Sequence, residues 1–192
     1  MMSVAYNAYY SKIFVVAWTA GSNLLTTSYT NNGTSLTYVD QQSLTNNGVV
    51  ATSAVYDSTN YVVIATYIHT GSTLTSRIIA GNNMPGNSVQ CDTSATALSS
   101  IYDSNSQKVV IAYLANGNLK VVLVTNTAGT LSATSPITVV TGVTGLSSNA
   151  ITYHKINKKV IIAYTIQTTS SNSYIIVGTI NGSSISFSSP YN

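Results

Sequence analysis

Two sets of side chains hold whatever chemistry this chain can do, and each recurs at a fixed place in a repeat. The first set follows a tyrosine: Asn7 after Tyr6, Asp57 after Tyr56, Asp103 after Tyr102 and His154 after Tyr153. Brought to one rim, these could offer oxygen and nitrogen ligands to a cation. Asp and Asn in such places also accept backbone hydrogen bonds and fix turns with no ligand present. The turn role is the preferred reading, and no metal or cofactor is expected. The second set closes an apolar run: Trp18, Tyr67, Tyr113 and Tyr164. Facing the rim, these rings could stack on sugars, one shallow pocket per repeat. Facing inward, they would be wedges between layers with polar tips at the surface.

Enzymatic readings are short of means. The chain has four aspartates (Asp40, Asp57, Asp92, Asp103) and no glutamate. A glycosidase pair made of Asp57 and Asp103 would need carboxylates about 5–10 Å apart across a sugar. His69 and His154 could serve a hydrolase triad, but no Gly-x-Ser-x-Gly elbow accompanies them. Phosphate loops and Cys/His metal spacings are also missing from the sequence. The expectation is a protein that is not an enzyme.

The elements that must position these residues form a tandem array. Tyr102-Asp103-Ser104-Asn105-Ser106-Gln107-Lys108-Val109-Val110-Ile111-Ala112-Tyr113 is matched without a gap by Tyr56 to Tyr67 and by Tyr153 to Tyr164. A looser copy runs from Tyr6 to Trp18. The leading tyrosines recur 50, 46 and 51 residues apart, a period that marks a repeat architecture. Runs of β-branched and aromatic residues broken by Asn, Gly, Ser and Thr read as strands, four to a repeat. Asn32-Gly33, Asn116-Gly117 and Asn181-Gly182 read as hairpin turns. The second strand, as in Val109-Val110-Ile111-Ala112, is apolar without alternation. Such a run implies cover on both faces. The fourth strands alternate with Ser and Thr and read as outermost. One doubly buried strand and a polar edge, repeated, describe a propeller blade.

The fold class expected is therefore all-β: one domain of four tandem four-stranded repeats, divided at about residues 3–52, 53–98, 99–148 and 149–192. A four-bladed β-propeller is the leading architecture, with completion by oligomerisation as the alternative. Repeat 4 lacks the segment that follows Ser135-Pro136 in repeat 3, so a strand edge is left to pair with the N-terminus or another copy.

Composition narrows the partners. Hydrophobic residues make up 44% of the chain and charged residues 6%, so solubility rests on Ser, Thr, Asn and Gln. Such a surface depends little on salt. The net charge of +3 is scattered, with only Lys155, Lys158 and Lys159 clustered, which argues against nucleic acid. No apolar run is long enough to span a membrane, so no insertion is expected. The run from Ile13 to Gly21 could pass for a short signal peptide, but the repeat register claims it as a strand. Cys91 is the sole cysteine, so no internal disulfide forms.

The Tyr-Asp turn, the Lys-Val-Val-Ile-Ala-Tyr strand and the segment Gly178 to Pro190 resemble a repeat in tail and other virion surface proteins of aquatic bacteriophages. The likeness covers the chain as four repeats, strongest in the third and fourth. It implies β-propeller blades and a non-catalytic structural or adhesive role at the virion surface, in a protein made in the host cytoplasm. The implied partners are other virion proteins, copies of the chain itself and host-surface glycans or receptors. A free-standing propeller lectin is the competing expectation.

Overall fold

The computed structural model describes residues 2–18, 23–45, 48–142, 146–167 and 171–192, and every regular element in it is a strand. Sheet 1 contains β1 (Met2–Asn7), β2 (Lys12–Trp18), β3 (Leu24–Asn31) and β4 (Leu36–Thr45). Sheet 2 contains β5 (Val49–Asp57), β6 (Val62–His69), β7 (Leu74–Ile79) and β8 (Pro85–Asp92). Sheet 3 contains β9 (Ala95–Asp103), β10 (Lys108–Ala115), β11 (Asn118–Thr127), β12 (Thr130–Ala133) and β13 (Ile137–Val140). Sheet 4 contains β14 (Leu146–His154), β15 (Lys159–Gln167), β16 (Ser171–Asn181) and β17 (Ser184–Phe187). Each sheet is an antiparallel meander in chain order, and in sheet 3 both β12 and β13 pair with β11. That break falls at Ser135-Pro136. Pro136 has no N–H to give to a ladder.

The first strand of each sheet starts earlier than the repeat boundaries suggested: at Val49, Ala95 and Leu146 rather than at 53, 99 and 149. The extra residues are Val49 to Thr52, Ala95 to Leu98 and Leu146 to Ser148.

The sheets pack face to face in succession. Sheets 1 and 2 enclose Phe14, Val16, Leu24, Val63, Ala65 and Ile79. Between sheets 2 and 3 lie Ile64, Ile68, Leu74, Val109, Ile111 and Val122. Between sheets 3 and 4 lie Val110, Ala112, Leu123, Val160, Ile162 and Ile176. The first strands are further joined by short polar contacts: Ser3 Oγ to Thr52 Oγ1 at 3.2 Å, Ser100 Oγ to Ser53 Oγ at 2.7 Å and Ser99 Oγ to Asn149 Oδ1 at 2.9 Å.

Cover on both faces of the second strand holds only for the two middle sheets. From Val63 to Ile68 and from Val109 to Ala115 every residue is buried. In β2, burial alternates: Phe14 and Val16 are buried while Ile13, Val15 and Ala17 are not. β15 likewise buries Val160, Ile162 and Tyr164 and leaves Ile161 and Ala163 less covered. The reason is position in the array, since among the described residues no sheet covers the outer face of sheet 1 or of sheet 4.

Truncation should read out this difference in cover. Ile111→Ala, fully buried between two sheets, is expected to lose about 2–5 kcal/mol in urea unfolding. Met84→Ala, on an exposed turn, should stay within about 0.5 kcal/mol of the parent.

Candidate functional site

The four Tyr-Asp-type turns lie at one end of the sheets, each joining a first strand to a second. All four share one backbone device, a non-glycine residue in the left-handed region: Ser11 (φ 51°), Tyr61 (58°), Gln107 (56°) and Lys158 (53°). The residue after the leading tyrosine holds that turn together. The Oδ1 of Asp57 accepts from the amides of Thr59 and Asn60 at 3.0 and 3.1 Å. The Oδ1 of Asp103 accepts from those of Asn105 and Ser106 at 2.8 and 3.3 Å. Asn7 Oδ1 takes the Tyr10 amide at 3.3 Å, and His154 Nδ1 takes that of Asn157 at 3.1 Å.

Three of these residues are buried, and two also bond to the next sheet. Asn7 Nδ2 donates to the Tyr61 carbonyl at 2.8 Å, and the Oδ2 of Asp57 accepts from Asn126 Nδ2 at 3.1 Å. The leading tyrosine of each following sheet lands on the preceding turn. Tyr56 lies at the Tyr9 backbone, and Tyr102 donates its hydroxyl to Thr59 Oγ1 at 2.7 Å. Burial, with the facing Asp103 carboxylate, pushes the Tyr153 hydroxyl up to about 12. The carboxylates of Asp57 and Asp103 are therefore engaged as turn and joint anchors, and present no open pair to a sugar. His154 alone in this set is exposed. Among the described residues no three His, Cys, Asp or Glu side chains gather as a metal site would need.

The aromatic set divides. Tyr67, Tyr113 and Tyr164 are buried, the inward placement of the two that the sequence left open. They wedge between sheets. Tyr113 donates its hydroxyl to Asp92 Oδ2 at 2.7 Å, and Lys120 Nζ lies 3.4 Å from the same oxygen. Tyr164 stacks on Tyr174 at 5.4 Å. Trp18 is 43% exposed, because it is not the counterpart of those tyrosines. Phe14 pairs with Ala5 as Ile64 pairs with Val55 and Val110 with Ile101. Counting on from there, Ala17 matches Tyr67, Tyr113 and Tyr164. One residue of offset turns Trp18 to the opposite face of its sheet. There it walls an open cleft of about 390 Å³ with Val49, Val50, Ala51 and Thr70, at the end of the sheets away from the Tyr-Asp turns.

The turn end carries a feature that the sequence reading missed. Tyr9 and Tyr61 stack with ring centres 4.4 Å apart at 30°, and Tyr10 meets Tyr9 edge-on at 4.9 Å. All three are exposed. The cluster is held from below. Asn7 fixes the Tyr61 carbonyl, and Tyr10 lies so close over Gly81 that a Cβ there would sit 2.1 Å from its ring. Tyr61 occupies the left-handed position, costly for a bulky side chain. Ser11, Gln107 and Lys158 hold the same position in the other turns, so what is particular here is the aromatic side chain and not the backbone. The available signal was the place in the repeat: Tyr9 stands where the other repeats have Thr59, Asn105 and Ile156, and Tyr61 where they have Ser11, Gln107 and Lys158.

No protein-family model and no curated protein matches the chain. Solved structures do. A protein from Lactobacillus plantarum superposes with a TM-score of 0.60 at 12% identity, over 98% of this chain and 70% of that one. The exo-β-1,3-galactanase of Phanerochaete chrysosporium, solved with β-1,3-galactotriose, gives 0.62 at 12% identity, over 100% of this chain and 49% of that one. The fold is propeller-like. The four sheets follow one another in the manner of blades, and the chain spans about half the length of the galactanase.

Two measurements probe the joints between blades. Asp57→Asn places an amide N–H₂ against the donors Asn60 and Asn126 or against the turn amides. It should cost about 1–3 kcal/mol in urea unfolding, the penalty of unpaired buried groups. The second concerns Asp92. Burial alone would raise its pKa, but the Tyr113 hydroxyl, the Thr93 amide and Lys120 outweigh it and hold the carboxyl below its ordinary value. A depressed folded-state pKa stabilises above the unfolded value of about 3.9 and is lost as pH falls through the folded value. Tyr113→Phe should therefore destabilise most at neutral pH, with the gap to the parent narrowing below about pH 4 in unfolding curves.

Proposed function

We propose that this is a non-catalytic adhesive protein of a phage virion surface, whose blades present the Tyr9–Tyr61 platform to a host glycan or receptor. The observation that carries the adhesive part is the platform itself: exposed, stacked tyrosines anchored by Asn7 and Gly81. Exposed aromatic faces with polar tips suit sugar rings and protein surfaces alike. The placement on a virion rests on the resemblance of the Tyr-Asp and Lys-Val-Val-Ile-Ala-Tyr repeats to those of phage tail and surface proteins. The non-catalytic part is supported by the engagement of Asp57, Asp103 and Asp92 in turns and joints. In this reading the four blades belong to one propeller ring, and affinity comes from a shallow site multiplied over many copies.

A glycan array and host-cell binding test the adhesive role, and mass spectrometry of purified particles tests the location. Tyr9→Ala and Tyr61→Ala should each weaken binding about two- to tenfold, the value of one aromatic contact. His154→Ala, on the turn of the fourth blade, should leave it unchanged. Absence of any glycan or cell binding removes the adhesive role. Absence of the chain from particles that contain their full set of structural proteins removes the virion location and leaves a free-standing lectin.

A further inference from the structure

The two uncovered faces, those of the first and fourth blades, are halves of a joint that the chain already makes three times. In each internal joint the leading face of one blade covers the trailing face of the one before. Hairpin register assigns each face its residues. The leading faces of blades 2, 3 and 4 contribute Val63, Val109 and Val160, and the trailing faces of blades 1, 2 and 3 contribute Phe14, Ile64 and Val110. Blade 1 carries a leading face of the same kind: Val4, Tyr6, Ile13, Val15 and Ala17 share one side of β1 and β2. None of these is buried; Val4 is 57% exposed and Tyr6 46%. Blade 4 carries a trailing face: Ile161, Ala163, Ile175 and Val177 share one side of β15 and β16. Ala163 and Ile175 are exposed.

The turn joint is open at both ends as well. Tyr56, Tyr102 and Tyr153 each rest on the turn of the preceding blade, whereas Tyr6 rests on none that the described residues provide. The turn of blade 4, from His154 to Lys158, receives no tyrosine, and its Ile156 is 87% exposed. Val4, Tyr6, Ile13, Val15 and Ala17 carry no charge, so Lys155, Lys158 and Lys159 at the blade 4 turn meet none of the same sign among them. Uncovered apolar faces of this extent mark interaction surfaces.

We infer that the occupant of each face is a second copy of this chain, docked head to tail: the leading face of blade 1 of one copy packs on the trailing face of blade 4 of another, with Tyr6 seated on the His154 turn. This rests on reading the sheets as blades of one ring, and it names the partner that extends the ring. The contact is heterologous, so it closes into a ring of copies if the rotation per blade allows and grows otherwise.

The test is the mass of the chain in solution by light scattering and sedimentation, at up to about 100 µM, where a Kd near 1 µM would be saturated. Two or more chains per particle are expected. Val4→Arg blocks one face and Ala163→Arg the other, and each alone should shift the chain to monomer with its circular dichroism unchanged. An equimolar mixture of the two variants should recover a dimer, because one unblocked face of each kind remains. Met84→Arg, away from both faces, should assemble as the parent does. A monomeric parent overturns the proposal, whether the ends meet within one chain or stay apart. Dimers abolished by only one of the two variants, or a mixture that stays monomeric, also overturn it in favour of a different contact. None of these readouts involves glycan binding, so failure here and failure of the adhesive role are separable.

Discussion

The structure depends on covering apolar sheet faces with other sheets. Each blade presents two apolar faces, and a face can be buried only by a neighbouring blade. Val109 to Ala115 and Val63 to Ile68 are buried throughout because both neighbours exist, while β2 and β15, built from the same kind of sequence, alternate. Apolar surface buried in this way contributes about 25 cal/mol per Å², which a lone four-stranded blade has no means of recovering. The stability of each repeat is thus lent by its neighbours, as in other repeat architectures.

The polar groups of the chain follow from that arrangement. Between two apolar faces there is room for a polar group only where it is satisfied. Asp57 illustrates how few are needed: one carboxylate closes its own turn through Thr59 and Asn60 and ties the next blade through Asn126. Asn7 does the same work between blades 1 and 2 with an amide. Three of the four aspartates are engaged in this way: Asp57 and Asp103 hold turns, and Asp92 meets Tyr113 and Lys120.

The repeat period, the strand class and the turn role of Asn7, Asp57, Asp103 and His154 were readable because each rests on local chemistry that recurs. The doubly apolar strand was readable too, but its burial was not, since a strand does not encode whether its blade is first, middle or last. Trp18 failed for a different reason. Aligned by similarity, it closes the strand as Tyr67 does; aligned by hairpin pairing, it is one residue further along and on the other face. The tyrosine platform escaped because its members come from two repeats and meet only when the blades stack. Tyr9 and Tyr61 are 52 positions apart in the chain and 4.4 Å apart as rings.

That last point bears on how such a protein acquires a binding site at all. The blades are alike where they pack, because every joint solves the same packing problem, and a change there is felt on two faces. The turns between first and second strands are free of that demand at two or three positions each, as Tyr9, Thr59, Asn105 and Ile156 show at one of them. Specific chemistry can therefore differ from blade to blade only on the rim, with the buried Asn or Asp beneath it holding the turn in place. In blades 1 and 2 the variation has taken the form of neighbouring tyrosines across a joint. A site built this way inherits its rigidity from the joint, since Asn7 fixes both its own turn and the Tyr61 carbonyl. Loosening the packing between blades 1 and 2 would then weaken the platform without touching a ring.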